Sequence, residues 1–124
     1  MNAALILGRC RRKILVCDSG KPRNSASQAL HGFISRDGIN PFEFRSIIRD
    51  ELSSYPSVIY LDGEIVDAEE LEKGYQVHLA DGRSYSGKYL LVATGIVDQL
   101  PDIRGIEKYY GHKFSTVRTV MVGK

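Results

Sequence analysis

The sequence predicts a small α/β domain in which a parallel sheet with helices is followed by a small antiparallel meander. Two short apolar runs, residues 13–18 and 58–61, are typical of strands in a parallel sheet. A helical pattern from Pro41 to about Ser54 lies between them, and parallel strands need such a crossover. After Gly63, short alternating segments separated by glycine-containing turns indicate antiparallel hairpins.

The remaining elements follow from local patterns along the chain. Residues 2–11 contain strong helix formers and end in a basic run, which suits a helix C-terminus. Residues 19–40 are rich in glycine, asparagine and serine, and loops of this length in compact domains are usually functional. Further strands are expected at 64–68, 75–79 and 83–85 in the meander, and at 88–95 as a buried parallel strand.

Composition argues against several classes of protein. The 124 residues correspond to about one domain, and 43% hydrophobic with 26% charged residues indicates a soluble globular chain. A net charge of +2 is too small to indicate nucleic acid or a membrane surface as partner. No apolar run reaches the roughly 18 residues of a membrane span, and no signal peptide is recognisable. Cys10 and Cys17 therefore suggest free thiols in a reducing cytoplasm.

Candidate ligand contacts lie at two predicted strand ends and in the long loop. Asp18 ends the first parallel strand, where an acidic residue can accept a hydrogen bond from a nucleotide ribose, although strand-ending aspartates are also common in turns. Ala93, Thr94 and Gly95 would let a ligand approach the backbone, but a tight strand exit explains them equally well. His31 is a candidate proton donor or simply a solvated loop residue.

The cysteines and histidines do not form a redox or metal motif. Cys10 and Cys17 are seven positions apart and do not make a Cys-x-x-Cys pair. The three histidines, His31, His78 and His112, are scattered through the sequence. No metal site is therefore predicted.

Three longer motifs stand along the chain: SGKPRN at 19–24, HGFISRDG at 31–38 and LLVATGIVDQLPDIRG at 90–105. Together they resemble the thioredoxin-reductase-like branch of the NAD(P)/FAD-dependent oxidoreductases, over about residues 2–114. The resemblance implies a partial Rossmann-like FAD-binding domain. The family's first strand and its G-x-G-x-x-G turn would precede Asn2, so the domain is expected to lack them.

The resemblance also implies an activity. In this family an NAD(P)H domain is inserted into the FAD domain, and the protein is a cytoplasmic homodimer. NADPH reduces the flavin, and the flavin reduces a Cys-x-x-Cys disulfide that exchanges with a small-molecule or protein dithiol. Related members work in reverse as dithiol oxidases that use oxygen.

The same resemblance implies a set of FAD contacts, which together would follow the cofactor from its adenosine to its flavin. These contacts are Asp18 at the adenosine ribose; Ser19, Gly20, Arg23 and Asn24 along the cofactor; His31 and Gly32 near the flavin; and Ala93, Thr94 and Gly95 at the pyrophosphate.

Residues 115–124 depart from the family, which has its Cys-x-x-Cys motif at this place. A permitted set of codons for Ser115 to Lys124, read from the third base onward, encodes Asn-Cys-Pro-Tyr-Cys-Asp-Gly-Trp-Glu. That peptide resembles the family motif. We therefore expect residues 1–114 to be a partial FAD-binding domain and residues 115–124 to be a frameshifted tail.

Three interpretations of the chain remain open at this point. It is a fragment of an FAD-dependent oxidoreductase that is inactive alone, because it lacks the Cys-x-x-Cys pair and the NAD(P)H domain. Alternatively, it is a noncatalytic module that binds a nucleotide or a protein. The third interpretation is a nonfunctional gene product.

Overall fold

The computed structural model describes residues 1–110 and confirms the α/β class. Residues 115–124, expected to be a frameshifted tail, lie outside the described part. The elements, in chain order, are α1 (Asn2–Arg9), β1 (Ile14–Asp18), a 3-10 helix (Arg23–Ala26), α2 (Pro41–Ser53), β2 (Val58–Asp62), β3 (Ile65–Leu71), β4 (Gly74–Leu79), β5 (Ser84–Gly87) and α3 (Ile106–Tyr109).

The strands β1 and β2 form the predicted parallel pair, connected through α2. Their register begins with Ile14 opposite Val58 and ends with Asp18 opposite Asp62. Because parallel strands end at the same edge of a sheet, two carboxylates stand side by side where the strands stop.

Helix α1 packs on β1 and α2, and Gly8 permits a close approach to the start of β2. A Cβ atom at residue 8 would lie 2.7 Å from Cγ2 of Val58 and 3.4 Å from Cβ of Tyr55. The sequence places Gly8 near the end of the helix, and the structure adds a packing reason for it. The helix ends at Arg9, two residues before the predicted end.

Helix α2 begins at Pro41, as predicted, because Asn40 caps it. The Asn40 side-chain oxygen accepts hydrogen bonds from the backbone N–H of Phe42 at 2.9 Å and of Glu43 at 3.5 Å. Proline at the first helical position needs no such partner for its nitrogen. The cap and Pro41 thus determine where α2 starts, and hence which of its side chains reach the strand ends.

The long loop between β1 and α2 has local structure of its own. It contains the 3-10 helix and an isolated antiparallel bridge between Leu30 and Ile39. The Phe33 ring lies 5.0 Å from the ring of Phe44 on α2, measured between centroids. The tip of the loop is therefore anchored to the helix that follows it.

The predicted meander is confirmed as a three-stranded antiparallel sheet in the order β3-β4-β5. Strand β3 extends to Leu71, beyond the predicted end at residue 68. A register shift lies between Ile65 and Asp67. Val77 and Leu79 of β4 are buried, whereas every residue of β3 is exposed. Gly63 lies between β2 and β3 in the chain, and its N–H donates to the Asp18 carbonyl at 3.0 Å.

The prediction of a buried parallel strand at 88–95 is wrong. Residues 89–95 have no regular secondary structure, and Tyr89, Leu91 and Val92 are 82%, 69% and 72% exposed. An apolar run becomes a strand only when a neighbouring strand supplies hydrogen-bond partners. Within residues 1–110, neither sheet includes this segment, so its backbone remains unpaired by a ladder.

The core is smaller than the apolar strands predict. Every residue of β1 is only half-buried, so the expectation that both faces of this strand are covered is also wrong. One face receives helices, while Ile59 on β2 is 63% exposed. Among residues 1–110, the buried apolar residues are Ala4, Leu52, Val77 and Leu79, together with Pro41. Through residue 110, the chain contains no helix of the length and apolarity that a bilayer span requires.

Candidate functional site

The Asp18 carboxylate is held from three directions at the end of β1. Its Oδ1 accepts a hydrogen bond from the N–H of Gly20 at 2.9 Å, which closes a tight turn after the strand. Its Oδ2 accepts hydrogen bonds from Arg45 of α2 at 2.5 Å and from the Tyr60 hydroxyl of β2. Arg45 also donates to the Gly20 carbonyl at 3.1 Å. One arginine therefore fixes both the carboxylate and the turn.

This environment keeps Asp18 ionised. Partial burial by itself raises the pKa of Asp18, but hydrogen bonds from Tyr60, Gly20 and Arg45 outweigh it and lower the pKa below its ordinary value. Burial and the adjacent Asp18 charge raise the pKa of Tyr60, which therefore stays a neutral hydrogen-bond donor near pH 7. We call Asp18, Gly20, Arg45 and Tyr60 the Asp18 cluster. The cluster presents a fixed anion at the sheet edge.

A second ion pair lies beside the first. Asp62 stands opposite Asp18 in the parallel register, and its carboxylate accepts a hydrogen bond from Arg49 at 2.7 Å. Arg49 follows Arg45 by one helical turn on α2, and its guanidinium lies 4.3 Å from the centroid of the Tyr60 ring. Helix α2 thus supplies one arginine to each of the two strand-ending carboxylates.

An open depression of about 360 Å³ adjoins these ion pairs. It is lined by Gly20, Phe42, Arg45, Ser46, Arg49 and Asp50. Gly20 has a φ of +76° and no atom within 4 Å of a Cβ position, so the space beside its Cα is open.

Arg23, in the 3-10 helix, is bound to a distant part of the chain. Its Nε and Nη2 donate to the two carboxylate oxygens of Asp98, at 2.7 Å and 3.0 Å. Asp98 also accepts a hydrogen bond from the Tyr110 hydroxyl. Because Asp98 lies three positions after Gly95, this bidentate pair ties the 93–95 segment to the loop that follows β1.

His31 and Gly32 lie at the exposed tip of the long loop. The N–H of Gly32 donates to Asp37 at 2.8 Å, and His31 Nδ1 lies 3.5 Å from the same oxygen. The Gly32 hydrogen bond is the main cause of the lowered pKa of Asp37. The loop chemistry is thus local, and Asp37 organises it.

The structure brings together some of the residues that the sequence indicates and leaves others apart. Asp18 and Gly20 meet in one cluster, with exposed Ser19 between them and Asn24 exposed in the 3-10 helix. Ala93, Thr94 and Gly95 are exposed in the irregular segment, and in the described part of the chain no hydrogen bond links them to Asp18.

Sequence reasoning missed the partners of these residues. Arg45 and Arg49 carry a recognisable signal, because residues four apart share a helix face. The pairing of Asp18 with Asp62 follows only from the strand register. Asp98 is far from Arg23 in sequence, and no local pattern connects the two.

The described residues hold no group of three or more His, Cys, Asp or Glu side chains arranged for a metal ion. Cys10 and Cys17 are free thiols, exposed and half-buried respectively. Burial raises the pKa of the Cys17 thiol, which makes it a poor nucleophile near neutral pH.

A parallel βαβ unit with an acidic residue at the strand end is the architecture of Rossmann-like nucleotide-binding domains. Comparison of the coordinates agrees with this class. The TrxB structure from Bacillus anthracis superposes with a TM-score of 0.90 and 36% identity, covering 94% of this chain and 39% of that one. The HlmI structure gives a TM-score of 0.84 and 38% identity, covering 94% of this chain and 37% of that one.

Sequence comparison leads to the same group of proteins. A protein of Arthroderma benhamiae named "Probable thioredoxin reductase" is 31% identical over 117 residues, which is 90% of this chain and 29% of that protein. No family model matches the sequence. The chain is homologous to thioredoxin-reductase-like oxidoreductases, and it spans about a third of the length of the curated relatives it matches.

Proposed function

We propose that this chain is part of an FAD-dependent oxidoreductase and that its Asp18 cluster binds the adenosine ribose of the cofactor. The single observation that carries the proposal is the placement of an ionised, half-buried carboxylate at the carboxyl end of a parallel strand. Ligands of open α/β sheets bind in the crevice at this edge, and acidic residues there accept hydrogen bonds from ribose.

The number of hydrogen-bond acceptor positions on Asp18 also fits a ribose hydroxyl. A carboxylate has about four acceptor positions, and Gly20, Arg45 and Tyr60 use three of them. One position is left for a ligand hydroxyl. The open backbone at Gly20 gives a dinucleotide room to pass the turn, and Ser19, Arg23 and Asn24 follow along the same loop.

The other proposed contacts lie on loops rather than on the cluster. Ala93, Thr94 and Gly95 approach the pyrophosphate in our proposal, with Asp98 and Arg23 holding that segment to the loop. His31 and Gly32 are assigned to the flavin side. These assignments rest on the resemblance of the HGFISRDG and LLVATGIVDQLPDIRG motifs to the family.

The bound flavin would accept electrons from NADPH and pass them to a disulfide. The chain's own residues bind and orient it: Asp18 holds the ribose, and Gly20 gives the turn its shape. We propose that residues 1–114 form part of the FAD domain of a cytoplasmic homodimer. Its substrate is then a small-molecule or protein disulfide, and these residues alone are inactive in dithiol exchange.

A second candidate that agrees with the cysteine pattern is a noncatalytic nucleotide-binding module. Cys10 and Cys17 do not form a Cys-x-x-Cys pair. They also differ in exposure, and burial raises the pKa of Cys17. This candidate predicts the same nucleotide site without dithiol chemistry.

The proposal is tested by titrating the purified chain with FAD and, in parallel, with FMN, while flavin fluorescence is followed. FMN has the same ring but lacks adenosine, so the proposed ribose contact predicts saturable binding of FAD and much weaker binding of FMN. ADP should compete with FAD. Equal affinity for FMN, or no binding of either flavin, would contradict the assignment of Asp18.

Mixing the FAD-loaded chain with NADPH and a disulfide tests the proposed inactivity of the chain alone. Flavin bleaching followed by disulfide reduction would support the complete oxidoreductase activity in this chain and contradict its proposed inactivity alone. FAD binding without bleaching agrees both with an oxidoreductase part and with the noncatalytic module. Adding the NADPH-binding and dithiol portions of a homologue then separates these two, because only the oxidoreductase part should regain turnover.

A further inference from the structure

The Asp18 cluster contains two side chains whose geometry suggests a purpose beyond holding the fold together. Arg45 and Tyr60 come from different elements, α2 and β2, and both donate to the same oxygen of Asp18. The side chains of Arg45 and Asp18 are only 18% and 20% exposed. Solvent therefore screens this pair less than an exposed ion pair.

The alignment of Arg45 is determined by more than the ion pair. One of its terminal nitrogens contacts the Asp18 carboxylate, and the other donates to the Gly20 carbonyl at 3.1 Å. A planar guanidinium that binds two acceptors at once fixes their relative position, which a lysine cannot do. Arg45 thus couples the orientation of the carboxylate to the shape of the turn.

Further charged groups stand beside this pair. Asp62 lies opposite Asp18 in the strand register. Arg49 binds Asp62 and lies over the Tyr60 ring. The titratable and charged groups around Asp18 are therefore Arg45 and Arg49 of α2, and Tyr60 and Asp62 of β2.

We propose that Arg45 and Tyr60 are positioning residues. They keep the Asp18 carboxylate ionised and in a fixed orientation, with one acceptor position left for a ribose hydroxyl. The inference rests on the proposed function. Neither residue needs to touch the nucleotide, because each acts through Asp18. Loss of either should weaken nucleotide binding only in chains that retain the Asp18 carboxylate.

The test is a double-mutant cycle on the full chain, with ADP as the probe and binding followed by calorimetry. Asp18→Asn and Arg45→Gln should each weaken ADP binding roughly tenfold, the usual effect of one hydrogen bond to a charged group. The Asp18→Asn, Arg45→Gln double variant should bind no more weakly than Asp18→Asn alone. Tyr60→Phe, which removes only the hydroxyl, should show the same dependence on Asp18.

Arg12→Gln is the matched control for charge. It removes one positive charge at the opposite end of β1, so it should leave ADP affinity unchanged. Arg45→Lys keeps the charge but loses the two-acceptor geometry, and it should still weaken binding. That variant also serves if Arg45→Gln fails to fold, as judged by circular dichroism.

A second readout separates positioning from general folding effects. Carbon NMR of the Asp18 carboxyl group, without nucleotide, should show its pKa rising in Arg45→Gln and in Tyr60→Phe but not in Arg12→Gln. ADP binding should weaken below the pKa of Asp18 in the wild-type chain and lose this pH dependence in Asp18→Asn.

The possible outcomes are distinct. Absence of ADP and FAD binding by the wild-type chain overturns the proposed function and this inference with it. Binding by the wild-type chain with multiplicative effects of Asp18→Asn and Arg45→Gln leaves the proposed function standing and overturns the inference, because Arg45 would then act independently. Equal losses in Arg45→Gln and Arg12→Gln overturn it as well, since they would indicate long-range attraction.

Discussion

Replacing Asp18 by asparagine tests whether the cluster also stabilises the fold. The substitution preserves shape and leaves an acceptor for the Gly20 N–H, but it removes the charge that faces Arg45. Exposed ion pairs contribute about 0.2–1 kcal/mol, and breaking a buried pair costs about 3–5 kcal/mol. With side chains 20% and 18% exposed, the Asp18–Arg45 pair is intermediate, so we expect a loss of about 2 kcal/mol at neutral pH.

Urea unfolding followed by circular dichroism measures this loss. A small protein has an m-value of about 1–3 kcal/mol per molar urea, so the midpoint should fall by about 1 M without a change in slope. Asp62→Asn is the matched control, because Asp62 ends the neighbouring strand and pairs with an arginine of the same helix. Its side chain is 67% exposed, so its loss should stay below about 1 kcal/mol.

The pH dependence of the loss follows from the lowered pKa of Asp18. Stability from this group is fully present above the pKa of an unfolded aspartate, about 3.9, and disappears as the pH falls through the lower folded pKa. The difference between wild type and Asp18→Asn should therefore be constant from pH 5 to 7 and shrink at lower pH. A difference that persists unchanged at the lowest measurable pH, or equal losses in Asp18→Asn and Asp62→Asn, would refute the reasoning.

Three further substitutions test the elements that support the site, each by urea unfolding. Leu52→Ala empties a position that is 2% exposed and should cost about 2–5 kcal/mol, whereas an exposed position such as Glu51→Ala should change stability by less than about 0.5 kcal/mol. Asn40→Ala removes the α2 cap and should cost about 1 kcal/mol, while Asn40→Asp should restore most of it. Gly8→Ala should destabilise despite better helix propensity, because the new Cβ would lie 2.7 Å from Val58; a gain in stability would contradict that contact.

Local chemistry made much of the parallel unit predictable. Pro41 with Asn40 before it marks the start of α2, and the observed helix ends within one residue of the predicted end. Asp18 closes β1 as expected, since the turn after it is built from its own side chain and Gly20. These features depend on residues close in sequence, and sequence patterns report such relations directly.

The segment at 88–95 shows where this reasoning failed. Its apolar run reports a preference for burial, and we interpreted that preference as a strand. A strand also needs a neighbour at hydrogen-bonding distance, which is a long-range property. In the described part of the chain, the Arg23–Asp98 ion pair gives the region just after this segment a side-chain tie instead.

The candidate site was predictable in its anchor and not in its support. Asp18 stood out because an acidic residue at a strand end has a known use, independent of the rest of the fold. Its partners Arg45 and Tyr60 lie 27 and 42 residues away, and no periodicity joins residues on two strands and a helix.

Sequence alone thus determined the strand–helix–strand order, the start of α2 and the acidic end of β1, because each depends on neighbours in the chain. The tertiary structure decided which arginine meets which carboxylate, since that depends on the register of β1 against β2 and on the face that α2 turns toward them. The low pKa of Asp18 also depends on the tertiary structure. Gly20 is close to Asp18 in sequence, but only folding brings Arg45 and Tyr60 to the same carboxylate.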